Sequence, residues 1–147
     1  VLFRSRGGAG EQRTTADGRE VLHLGKELTG ATGVSVAQLL DNADAWIGKR
    51  VALEGDVAGM CDKRRRWFAL VDQGTGQHIR LFTVPVFLVP RDAVGKSVRA
   101  EGVVARVEIP AVRARHISKV HKLGDPEAIT GKVHRELVVR VDVAQLW

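Results

Sequence analysis

A single cysteine, no tyrosine and no long apolar run set the first limits on this chain. With Cys61 alone, neither an intramolecular disulfide nor a Cys-x-x-Cys zinc or redox arrangement can form, so apolar burial has to hold the fold together. No stretch approaches the roughly 20 apolar residues that a membrane-spanning helix needs. The longest candidate, Leu81 to Val89, is interrupted by Pro85. Gly-x-Ser-x-Gly, Gly-x-Gly-x-x-Gly and Gly-x-x-x-x-Gly-Lys are all missing, which removes the common nucleophile and phosphate-cradling signatures. Glu54, Glu101 and Asp72 fall where strand ends and turns place ordinary solvated carboxylates. The sequence therefore reads as non-catalytic and implies no cofactor.

What is present suits a globular domain. Of 147 residues, 44% are apolar and 27% charged, enough to build one core without splitting into two. The net charge is +6, and the isoelectric point near 10.1 raises the possibility of an anionic partner. Val1 to Ser5 read as a translated sequencing-adapter scar, with the true N-terminus missing, and the glycine-rich, polar residues up to Gly33 read as a flexible lead-in. The domain is expected over residues 34–147.

Ser35 and Gln38 have capping-box spacing, and Val36, Leu39, Leu40 and Ala43 share a helical face, which predicts a helix over about 35–44 anchored by Trp46 and Ile47. Two segments then repeat. GKRVALEGDVA (48–58) and GKSVRAEGVVA (95–105) agree at seven of eleven positions, each a turn feeding an alternating strand with an interior glycine suited to a sharp bend or bulge. Between them, RWFALVD (66–72) and QHIRLFTV (77–84) flank QGTG (73–76) as a hairpin. VPRDAVG (89–95) reads as a turn. Residues 111–124 have a helical pattern with Val112, Ile117, Val120 and Leu123 on one side and Gly124 as the stop, and ELVVRVDV (136–143) supplies a last strand. The expected architecture is mainly β: a small five-stranded OB-like Greek-key barrel with one or two helices, with a β-sandwich as the alternative.

GKRVALEGDVAGMCDKRRRWFALVD, IRLF, FLVPRDAVGKSVRAEGVV and ARHISKVHKLGDPEAITG together resemble a group of bacterial proteins that carry a small OB-like domain of unknown function. The resemblance spans roughly residues 34–143. Members are often exported or lipid-anchored, which implies the periplasm or cell envelope, with the cytoplasm as alternative. The group's distinctive element is a cysteine, four residues, then Cys-Trp. Cys61 and Trp67 match it, but Arg66 stands where the second cysteine would be. A guanidinium donates hydrogen bonds and cannot coordinate metal, so a paired-thiol site is not expected.

Two ligand readings remain. One is a binding module for a small molecule, metal or protein partner. The other is single-stranded nucleic acid bound through the basic loop Lys63, Arg64, Arg65 and Arg66 with Trp67, Arg80 and Phe82 on the barrel face. An anionic membrane surface is a further candidate partner for such cations. For a metal, the candidate ligands are Cys61 and His116. His116 and His121 are five apart, where a helical pair on one face needs four.

Overall fold

In the computed structural model, residues 10–72 and 74–147 are described; the scar reading at Val1 to Ser5 and residue Gln73 of the hairpin loop lie outside them. The repeated segments become β4 (Arg50–Met60) and β7 (Ser97–Pro110), the hairpin becomes β5 (Trp67–Val71) and β6 (His78–Phe82), and the final strand is β8 (Val133–Leu146). β4 pairs with β5, β5 with β6, β6 with β8, β8 with β7, and β7 returns to β4. The circuit closes after five strands, with only β6 and β8 parallel. The sheet is thereby mainly antiparallel and closes on itself in a small barrel-like circuit, the strand number and order expected of an OB-like Greek key.

Alternation dictates which side chains fill it. Val51, Leu53, Phe68, Leu70, Ile79, Leu81, Val139 and Val141 point inward and are almost fully buried. Each such side chain contributes about 1.5–3 kcal/mol relative to exposure.

The two repeats pair with each other about a local two-fold axis. Leu53 lies opposite its own counterpart Ala100, and the flanking pairs Val51–Gly102 and Gly55–Val98 exchange equivalent positions. The turns obey the same symmetry. The Gly48 N–H donates to the Val104 carbonyl at 2.8 Å, and the Gly95 N–H to the Val57 carbonyl at 2.9 Å. Both turn glycines have φ near +90°, a conformation that side chains resist. The symmetry breaks at the interior glycines: β7 bulges against β8 between Glu101 and Gly102.

The lead-in departs from expectation. Residues 10–33 are not a flexible tail: they form β1 (Glu11–Thr14), β2 (Glu20–Gly25) and β3 (Thr32–Gly33). β2 pairs with β8 at Leu22–Leu146 through Gly25–Val143, continuing along β8 where β6 leaves off. An edge that would otherwise be open is thereby covered. Val21 and Leu24 are buried.

α1 (Val36–Asp41) carries the expected capping box, with Ser35 and Gln38 bonding each other's backbone N–H at 3.0 and 2.8 Å. It buries Val36 and Leu39 in the barrel core. α2 (Ala43–Trp46) follows, and Trp46 packs on the core while Ile47 stays exposed.

α3 (Ala111–His121) occupies the connection between β7 and β8. Its buried residues are Ala111, Ala114 and Ser118 rather than the predicted valines: Val112 is 69% exposed and Val120 55%. Small side chains let the helix approach the barrel wall closely. It ends at Lys122 in the left-handed conformation, two residues before the predicted stop at Gly124. No helix among the described residues is long and apolar enough to cross a membrane.

Candidate functional site

Outward-facing residues of β5, β6 and β8 build a second layer beneath α3. Trp67 and Ala69 of β5 lie opposite Phe82 and Arg80 of β6, and Arg80 in turn is in register with Val138 of β8. Trp67, Ala69 and Leu123 are buried together, with Cys61, Phe82 and Ile117 packed against them. The Trp67 ring meets His121 of α3 edge-on, with centroids 4.9 Å apart. Trp67 is thus a helix-docking residue and not an open stacking platform.

Arg80 is 4% exposed despite its charge. Its Nε and Nη2 donate to the Glu136 carboxylate at 2.7 and 2.5 Å, and its guanidinium lies 4.8 Å from the Trp67 ring centre and 4.9 Å from that of Phe82. A buried cation requires such pairing. Burial also holds the imidazoles of His78 and His121 below the ordinary histidine range. Arg80 pushes the same way in both, against Glu136 at His78 and against Asp62 at His121.

The loop between β4 and β5 divides the predicted cations. Arg65 is at φ +56°, its Nε donates to the Val89 carbonyl at 2.6 Å, and its own carbonyl accepts from the Val89 N–H at 2.9 Å. It fastens the loop to the segment after β6. Lys63, Arg64 and Arg66 are exposed, and half-buried Phe82 sits nearby because the Thr83 N–H bonds the Arg66 carbonyl at 2.9 Å. The sequence-predicted residues therefore separate into a solvated trio and a packed group formed by Trp67, Arg80 and Phe82.

Cys61 begins this loop and is half-buried. Burial pushes its thiol up, but the backbone N–H groups of Arg64, Arg66 and Arg65 together outweigh that and hold it below the ordinary thiol range. His116 is exposed on α3. Among the described residues, no three His, Cys, Asp or Glu side chains gather in a way that could hold a metal ion.

Between α3 and the barrel lies a cleft of about 140 Å³. Ile109, Ala114, Ile117, Leu123 and Ile129 give it apolar walls, while His78, Arg80, His134 and Glu136 give it polar positions. A shallower recess of about 460 Å³ adjoins it, reaching Leu40 and the β5–β6 loop. His78, Gly124, His134 and Glu136 line both. Of the lining residues, His134 carries a metal-ligand type in the sequence but no diagnostic spacing, and His78, Ile117 as a wall residue and Glu136 carry no site signal of their own. The available signal was the alternation of β6 and β8, which puts His78 and Glu136 on the outer face in step with Arg80.

Glu101 also differs from expectation. It is fully buried, and its carboxylate accepts from the Thr29 N–H and hydroxyl at 2.9 and 2.8 Å, the Gly30 N–H at 3.2 Å and Arg50 at 3.3 Å. Burial pushes its pKa up, but the Thr29 and Arg50 donors prevail and hold it below the glutamate range. Arg50 also grips Asp142 at 2.8 and 3.1 Å. This network ties residues 29–30 to the barrel on the β4–β7–β8 wall. Its counterpart in the repeat, Glu54, is solvated as predicted.

No family model matches the chain, and neither the curated proteins nor the solved structures contain a match to it.

Proposed function

We propose that this chain is a non-catalytic OB-like binding module of the bacterial cell envelope that takes its ligand in the cleft between α3 and the outer faces of β6 and β8. The observation that carries the reading is the cleft itself: apolar walls, a few convergent polar groups and a fixed helix as one side, the usual make-up of a ligand site. The envelope location rests on the sequence resemblance over residues 34–143 alone. A fragment screen on the isotope-labelled chain tests the binding function. Saturable shifts at Ile117, Ile129, His78 and His134 are expected, and a screen that leaves those residues unmoved overturns it. An export or lipoprotein signal in the genomic reading frame that encodes Arg6 onward supports the location, and its absence there overturns it.

A second reading, single-strand nucleic-acid binding, is favoured by the exposed trio Lys63, Arg64 and Arg66 beside half-buried Phe82. It is weakened by the burial of Trp67 under α3, which leaves fewer faces for base stacking. Titration with a labelled oligonucleotide at low salt decides it, since phosphate contacts are strongest there. Binding that weakens on charge reversal at Arg64 supports it, and absence of binding removes it.

A further inference from the structure

The cleft and the recess share a gateway, and the chemistry on its two sides differs. Inward, Ile109, Ile117, Ile129 and Leu123 wall the apolar side of the cleft, whose whole volume, polar end included, is about 140 Å³. A closed apolar cavity of about 150 Å³ accepts benzene, so this open cleft has room for no more than one six-membered ring against its apolar side. The gateway itself is formed by His78, His134, Glu136 and Gly124. There is little room to spare beside His78, because a β-carbon on Gly124 would come within 3.3 Å of its Cε1.

The buried charges facing this space are paired with each other. Arg80 and Glu136 satisfy each other through two hydrogen bonds, while Asp125, exposed where it lines the cleft, has one carboxylate oxygen accepting the Glu127 N–H at 3.0 Å and keeps its charge. Arg135, at the recess, pairs with Glu108 at 3.1 Å. A charged ligand seated among the apolar walls would lose hydration: an anion meets no unpaired cation among the described residues there, and a cation meets only the exposed Asp125, where an ion pair contributes little. A neutral imidazole at His78 offers one donor and one acceptor to an uncharged group instead.

Resting on the binding function proposed above, we infer that the ligand is an uncharged molecule with a single compact apolar ring, seated under α3, and a hydroxyl- or amide-like group hydrogen-bonded at the His78–His134 gateway. The ring displaces poorly held solvent from the apolar walls, and the polar group remains within reach of the recess and of water.

The test compares three probes of one ring size on the full chain at neutral pH: benzyl alcohol, benzoate and benzylamine. Binding is read from the imidazole signals of His78 and His134 and the methyl signals of Ile117 and Ile129. Benzyl alcohol is expected to shift these saturably and to bind at least about tenfold more tightly than either charged probe, a difference of about 1.4 kcal/mol. Ile129→Trp, on the cleft wall, is expected to abolish those shifts while the chain keeps its cooperative melting. If that variant does not fold, the side-chain signals of the unsubstituted chain still locate the probe. Equal or tighter binding of benzoate or benzylamine at these residues overturns the ligand class and leaves the binding function standing. Silence from all three probes overturns the inference, whereas the function falls only if the wider fragment screen also leaves the cleft unmoved.

Discussion

At Gly102 a β-carbon would lie 2.5 Å from the Val141 Cα and closer still to the Arg140 carbonyl, because β8 crosses the bulge there. At the equivalent Gly55, the nearest atom would be the Val71 carbonyl oxygen at 3.3 Å. Gly102→Ala is therefore expected to cost about 3 kcal/mol, the upper range for overpacking, and Gly55→Ala clearly less, as measured by urea unfolding. Glu101 and Glu54 make a parallel contrast. Glu101→Gln leaves Arg50 and the Thr29 donors poorly matched in a buried setting and is expected to cost about 3 kcal/mol. Glu54→Gln is expected to leave the unfolding midpoint unchanged. The Glu101 pKa is lowered in the fold, so its contribution is present above the ordinary glutamate value of about 4.3 and is lost as pH falls through the folded value. Glu101→Gln should accordingly flatten the acid limb of the stability profile. Nothing in the sequence separates these paired positions. Their difference comes from Thr29 and Asp142, residues that only the closed barrel brings to Glu101 and Arg50.

Among the elements, α3 decides what the outer face can do. Its contact with the barrel runs through Trp67 and His121, so Trp67→Ala is expected to destabilise by about 3–5 kcal/mol in chemical unfolding, as a packing residue does. A mere stability-neutral loss of ligand affinity would mean the ring is not docking the helix. The histidine pKa values of His78 and His121 are lowered, so both stabilise the fold when neutral. That contribution is complete above the unfolded value of about 6.5 and declines as pH falls below it. Melting temperature should drop between pH 7 and 5, and less so in His121→Gln.

The barrel strands were legible because apolar alternation has a period of two and each was bounded by glycine or proline. Three features were not. β2 joins the sheet mainly through backbone pairing with β8, which leaves only Val21 to Leu24 as a side-chain trace. α3 buries small residues at 111, 114 and 118, a spacing that a search for large apolar side chains overlooks. The cleft combines strand residues with a helix whose docking depends on Trp67, a residue that looked like a ligand contact because it follows four cations.

For the whole molecule, the distribution of charge matters more than the total of +6. Arg13, Arg50, Arg80, Lys96, Arg99, Arg106 and Arg135 have acidic partners, whereas Lys63, Arg64 and Arg66 project into solvent. Exposed cations of this kind attract anions in a salt-dependent way without specifying one. The cleft under α3, apolar on one side and with Arg80 and Glu136 paired on the other, is the more selective feature. The most direct measurement follows backbone and side-chain signals of the labelled chain while a neutral aromatic fragment and, separately, a single-stranded oligonucleotide are titrated at low salt. The account predicts saturable shifts at Ile117, Ile129, His78 and His134 with the fragment. Shifts confined to residues 63–66 and Phe82 with the oligonucleotide, and none at the cleft with the fragment, would contradict it.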